Sequence, residues 1–159
     1  MRQKKTFGYV YGPKLRIVSV GFNYRMTKPQ LAVGLTQITK AGRIIARKLD
    51  NMKRMSELLS DVPMIIRPAG IDDGHGAHLY VVRLDSTKAS FTRDALAGHL
   101  KEKYQVGTAI HYPAEWDWEV MADVRYDRSA CPVAERACKE VLSLPIFSRS
   151  SEDDLSYVA

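Results

Sequence analysis

The sequence predicts an α/β chain, with one long linking helix and then a small mixed or antiparallel sheet covered by helices (an α+β small domain). Three observations predict it. Leu31, Leu35, Ile38, Ala41, Ile45, Leu49, Met52, Met55 and Leu59 recur in steps of three and four, which keeps one apolar stripe on one helix face. His78-Leu79-Tyr80-Val81-Val82-Arg83-Leu84 is rich in β-branched and aromatic residues and reads as a strand. Beyond the long helix, extended and helical segments follow as β, β, α, β, loop, α, β, α, an order that suits a sheet with helices on one face.

Residues 1–22 hold no clear period. Phe7-Gly8-Tyr9-Val10-Tyr11-Gly12-Pro13 reads as loop, and Leu15 to Val20 as a short strand without an evident partner in the chain. Gly21-Phe22-Asn23-Tyr24-Arg25-Met26-Thr27 then forms an exposed turn at the mouth of the helix. Thr27 caps the first turn, and Gln30 three residues on completes a capping box in its Gln form. Pro29 falls in that first turn, where its missing N–H does no harm. Lys28 meets the positive end of the helix dipole, at a cost of about 0.3–1 kcal/mol, or adds to a phosphate site. A helix from Lys28 to Ser60 is roughly 50 Å long, too long for one small core and better suited to tying two bodies together.

Val62 to Ile66 is a short apolar run stopped by Pro68, and Ala69 to Ala77 is a Gly- and Asp-rich loop. Ser90 or Thr92 starts a helix carrying Leu96, Leu100 and Tyr104. Gln105 to Tyr112 returns as a strand ended by Pro113, and Ala114 to Ala130 is a long loop with two tryptophans and many charges. Pro132 opens a helix with Val133, Ala137 and Val141 on one face, Leu142 to Ile146 is a last strand, and Ser150-Ser151-Glu152-Asp153-Asp154 caps a closing helix. The divisions that result are 1–26, the linking helix over 27–60, and a small α/β domain over 61–159.

At 45% apolar and 26% charged, the 159 residues can bury one core with an appendage. No apolar run approaches the ~20 residues of a membrane span, and the basic Met1-Arg2-Gln3-Lys4-Lys5 leads into no apolar signal core; the expected location is cytoplasmic, with no membrane partner. Four histidines offer no metal spacing. Cys131 and Cys138, seven apart in what reads as a helix, are separated by roughly 10 Å, beyond the ~7 Å that a bridge allows. They are expected as reduced thiols on a packed face. Much of the net charge of +6 sits in Arg2, Lys4, Lys5, Lys14 and Arg16, and again along the long helix at Lys40, Arg43, Arg47, Lys48, Lys53 and Arg54 as a solvated face; no aromatic RNA-binding strand accompanies it, so nucleic acid is not an expected partner.

Two pairs carry candidate chemistry. Asn23 offers two amide N–H donors and Arg25 a planar fork suited to phosphate; two apart in an extended turn, they point to one side. The bland alternative is that Asn23 shapes the turn and Arg25 pairs with a carboxylate. His111 and Tyr112, at a strand end, can hydrogen-bond a sugar or phosphate oxygen, or serve as structural donors. Tyr80 is expected in the core. Trp116 and Trp118, among Glu115, Asp117 and Glu119, either stack on a sugar ring or bury a loop.

These landmarks resemble, in order and over nearly the whole chain, the C-terminal part of the DegT/StrS-type sugar aminotransferases, pyridoxal-phosphate enzymes of the aspartate-aminotransferase fold (fold type I). The resemblance lies in Gly21 to Thr27 with Gln30, His78 to Arg83, Val106-Gly107-Thr108-Ala109-Ile110-His111-Tyr112-Pro113, Pro132-Val133-Ala134-Glu135-Arg136, and Val141-Leu142-Ser143-Leu144-Pro145. It implies that residues 1–26 border a large domain and that Asn23 binds the phosphate of pyridoxal 5′-phosphate in the neighbouring subunit. It also implies that Arg25, His111 and Tyr112 serve a nucleotide-sugar substrate. The Schiff-base lysine of such enzymes lies upstream of the segment matched by Gly21, and no Ser-x-x-Lys-like stretch precedes Gly21 here. The chain alone is therefore expected to be inactive, in a homodimer or beside a chain that supplies the large domain. Two features depart from the family pattern: Trp116 stands close to where a further histidine is common, and Lys28-Pro29 where an acidic residue is favoured. The alternative reading is a non-catalytic interaction module derived from that family, binding through the helix stripe.

Overall fold

The computed structural model describes residues 7–10, 14 and 16–159, with the Tyr9 side chain excepted. The basic run Met1 to Lys5, and Tyr11 to Pro13 and Leu15 of the first loop and strand, lie outside the described residues. The chain divides into two compact units, Met1–Gly42 and Arg43–Ala159.

In the first unit, β1 (Tyr9–Val10) pairs antiparallel with β2 (Arg16–Ile17), with Tyr9 opposite Ile17. The expected strand thus has a partner, and it lies in the stretch expected as loop. Phe7 and Gly8 both take positive φ, a turn chemistry that a search for alternation passes over. Gly8 is required here, because a Cβ would stand 1.7 Å from the Ser19 carbonyl oxygen. Helix α1 (Lys28–Leu58) then begins where the sequence places it. Gln30 Oε1 accepts from the Thr27 backbone N–H at 2.8 Å and from the Thr27 hydroxyl at 3.1 Å, so the Gln half of the capping box forms.

The second unit is built on a sheet of β3 (Ile65–Ile66), β4 (Tyr80–Leu84) and β5 (Val141–Leu144), antiparallel throughout in the order β3-β4-β5. Its core joins the far end of the long helix (Leu49, Met52, Met55, Leu59) to Tyr80 and Val82 of β4, Leu142 and Leu144 of β5, and Ile146 and Leu155. Tyr80 is fully buried, as expected, and its hydroxyl shares a 2.7 Å bond with Ser56. Burial pushes the Tyr80 phenol above its ordinary pKa. Helix α2 (Arg93–Tyr104) starts at Thr92, whose side chain accepts from the Ala95 N–H. Helix α4 (Glu152–Val158) starts at Ser151 with a full capping box to Asp154.

The structure corrects three local expectations. Gln105 to Tyr112 is not a strand: Gln105 takes a left-handed conformation that stops α2, and only Ala109 bridges to Ser143. The stretch Ala114 to Ala130 holds three short 3₁₀ turns, at Glu115–Asp117, Glu119–Met121 and Arg128–Ala130. Helix α3 (Pro132–Glu140) begins after Cys131, which is exposed, while Cys138 is half-buried; both thiols are free, and Val133 faces outward. Among the described residues no helix is long and apolar enough to cross a membrane, and no cluster of ligating side chains could hold a metal ion.

Candidate functional site

The first predicted pair sits on the extended turn that leads into α1. Both Asn23 and Arg25 are exposed, and Arg25 Nε donates to Asn23 Oδ1 at 3.0 Å. The side chains therefore do lie on one side of the turn. The guanidinium stands 5.7 Å from the centre of the Phe7 ring, and Phe22 stacks on Tyr24 at 5.2 Å. Asn23 accepts through its oxygen, which leaves its amide NH₂ as a donor. Among the described residues neither that NH₂ nor the Nη groups of Arg25 meets a protein acceptor. An amide donor beside a guanidinium fork suits the oxygens of a dianionic phosphoryl group.

The second pair lies in the Arg43–Ala159 unit, where the single bridge from Ala109 to Ser143 carries His111 to the sheet. His111 is half-buried, and its Nδ1 shares a 2.9 Å hydrogen bond with Ser143 Oγ. Tyr112 is 67% exposed and meets the His111 ring edge-on at 5.4 Å. His111 lines a cleft of about 330 Å³ with Lys48, His78, Thr108, Ser143 and Phe147. Lys48 is half-buried and donates to the His78 carbonyl at 3.1 Å.

The tryptophans take two different positions beside this turn. Trp118 Nε1 donates to the Pro113 carbonyl at 3.1 Å, which ties the long loop to the end of the His111-Tyr112-Pro113 stretch. Trp116 packs edge-on against Tyr126 at 6.4 Å, with the Arg128 guanidinium 5.8 Å from its ring and bonded to Asp117. Trp116 is thus occupied in holding the loop, whereas Trp118 is exposed on its remaining surface.

Ser143 and Lys48 were not singled out from sequence. Ser143 carried a signal: it is the one hydroxyl in the apolar strand Val141-Leu142-Ser143-Leu144. Lys48 carried none, because it is one of many basic residues along the helix.

A family model, the DegT/DnrJ/EryC1/StrS aminotransferase family, matches residues 1–159. The chain belongs to that family. It is 31% identical over 144 residues to the spore coat polysaccharide biosynthesis protein SpsC of Bacillus subtilis (strain 168), a match covering 89% of this chain and 37% of SpsC. Among solved structures it is similar to the aminotransferase TlmJ from Streptoalloteichus hindustanus, with a TM-score of 0.76 and 24% identity, over 99% of this chain and 41% of TlmJ. It is similar also to Spr1654 from Streptococcus pneumoniae in its PLP form, with a TM-score of 0.81 and 18% identity, over 99% of this chain and 40% of that one. These likenesses establish the fold as that of the aminotransferase family. The chain spans about two-fifths of the length of the proteins it matches.

Proposed function

We propose that this chain supplies the C-terminal portion of a pyridoxal-phosphate-dependent sugar aminotransferase acting on a nucleotide-linked keto-sugar. The observation that carries the reading is the Asn23–Arg25 pair, held by its own hydrogen bond and offering donors that meet no acceptor among the described residues, in a chain of this family. The Asn23 amide offers N–H donors to the phosphate end of the cofactor, and the Arg25 fork beside it suits a second phosphate group. When bound, pyridoxal phosphate supplies the electron sink through which an amino group passes from donor to acceptor. Asn23 would hold its phosphoryl oxygens, in the neighbouring subunit of a homodimer, and Arg25 the phosphates of the nucleotide-sugar. His111 and Tyr112 would hydrogen-bond substrate oxygens. In this reading the Schiff-base lysine comes from outside these residues, because covalent catalysis needs an amine held at the cofactor aldehyde. The chain alone is then inactive, and a cytoplasmic setting agrees with two unbridged thiols.

Reading the coding DNA upstream of Met1 in the same frame tests this first. A continuous frame encoding a lysine-bearing domain is expected, and a stop codon close upstream would overturn the catalytic reading. In the protein so encoded, Asn23→Ala is expected to weaken pyridoxal-phosphate retention about tenfold, the loss of one hydrogen bond to a charged group. Steady amination of a nucleotide-linked keto-sugar by the 159-residue chain alone would refute the assignment of the lysine to another segment.

A further inference from the structure

An arginine on an exposed turn samples many rotamers, and its fork is aimed at one group only if its plane is held. Within the first unit two contacts hold Arg25. Its Nε donates to Asn23 Oδ1 at 3.0 Å, and its Cζ lies over the Phe7 ring, 5.7 Å from the centre. That distance is inside the ~6 Å reach of a cation–π contact. With Nε used and Cζ held over a ring, the two Nη groups remain as the donating fork, and among the described residues they meet no protein acceptor.

Phe7 is itself held by its surroundings. Its N–H donates to the Phe22 carbonyl at 3.1 Å, which ties it to the turn that carries Asn23 and Arg25. Its φ is 54°, a left-handed backbone that a bulky residue takes only where its neighbours enforce it. Gly8 follows at φ 73°, where an added Cβ would stand 1.7 Å from the Ser19 carbonyl oxygen, and the Gly8 carbonyl accepts from the Val18 N–H at 3.0 Å. Strain kept in place this way points to a use for the side chain that it presents. We propose that Phe7 is a positioning residue: the chain around β1 and β2 seats its ring at the Arg25 guanidinium, and the ring together with Asn23 holds the fork ready for a phosphate group. This rests on the reading of the Asn23–Arg25 pair as phosphate-facing and deepens it by naming the residue that aims the fork.

The test uses the ¹⁵N-labelled full chain with inorganic phosphate as the probe and needs neither cofactor nor turnover, so its failure leaves the upstream-frame test of the aminotransferase reading untouched. In wild type the Arg25 side-chain protons are expected upfield of those of an ordinary arginine, in the ring current of Phe7. Ordinary positions would overturn the contact. Phe7→Tyr keeps the ring and is expected to keep both the upfield shift and the phosphate affinity. Phe7→Leu keeps apolar bulk without the ring, and is expected to lose the shift and weaken phosphate binding about two- to fivefold. The Arg25→Gln background supplies the readout that a merely structural role would not move: there Phe7→Leu is expected to change phosphate binding no further. The same loss in both backgrounds would overturn the positioning role, because Phe7 would then act on the turn and not through Arg25. Equal phosphate affinity in wild type and Phe7→Leu, or no response of the wild-type Arg25 signals to phosphate, would overturn it as well.

Discussion

One helix carries one apolar stripe through two regions, and its two ends have different fates. At the far end Met52 and Met55 are 0% exposed, packed against Tyr80, Val82 and Leu142. At the near end Leu35 is 67% and Ile38 72% exposed within its own unit. The spacing is the same in both places, so periodicity specifies the helix and the face but not the cover. A buried methionine there is part of a core, whereas the exposed leucines keep an apolar surface of the kind that marks association.

The largest expected effect sharpens that contrast directly. Met52→Ala removes a fully buried side chain and should cost about 2–5 kcal/mol in urea unfolding. Leu35→Ala, on the same stripe, should change the stability of the isolated chain by no more than about 0.5 kcal/mol. Equal losses at the two positions would mean that Leu35 is covered as Met52 is.

A second effect of similar size tests polar burial in the Arg43–Ala159 unit. Glu140, 5% exposed, accepts from Arg83 Nη2 at 2.6 Å and Nε at 3.1 Å and from the Ser86 hydroxyl at 2.9 Å. Burial alone would push this carboxyl up, but the hydrogen bonds and charge of Arg83, with Ser86, outweigh it and hold the carboxyl below its ordinary value. Arg83→Met leaves that carboxylate buried without its cation and should cost about 3 kcal/mol. Because the folded form holds its proton less tightly than the unfolded one, the contribution is present above the unfolded carboxylate range. It fades as pH falls through the lower folded value. Unfolding midpoints followed downward from neutral pH should therefore drop more steeply in wild type than in Glu140→Gln.

How far the sequence could be read follows the same division. Long-range periodicity and capping residues were legible: α1 starts at Lys28, Thr92 caps α2, and Ser151 caps α4. The sheet was legible in β4 and β5, whose apolar runs are long. The β1–β2 pairing was not, since its strands are only two residues each and show no alternation to read. Gln105 to Tyr112 misled because β-forming residues there meet a single bridge and no ladder. At the candidate site, the Asn23–Arg25 adjacency followed from spacing in an extended turn. The Ser143–His111 bond joins residues 32 apart in sequence, and no local pattern announces such a contact.

A smaller effect lies at the second unit's last helix. Ser151 accepts from the Asp154 N–H at 3.1 Å and Asp154 accepts from the Ser151 N–H at 2.8 Å, and Leu155 of this helix reaches the core. Ser151→Ala should cost about 1 kcal/mol, measured as a lower urea midpoint with an unchanged slope.

The smallest expected effect concerns the cap at the opposite boundary, and it separates the two regions most cleanly. Gln30 caps α1 through bonds to Thr27 that are exposed to water. The helix's first turns bury nothing within their unit, so fraying there releases little apolar contact. Gln30→Ala should therefore leave global unfolding within about 0.5 kcal/mol of wild type. Amide exchange over Leu31 to Leu35 should nonetheless quicken, because local opening has no packing to oppose it. If exchange quickened equally at Met52 and Met55, the helix would be opening as one cooperative unit, and the contrast between its two ends would fail.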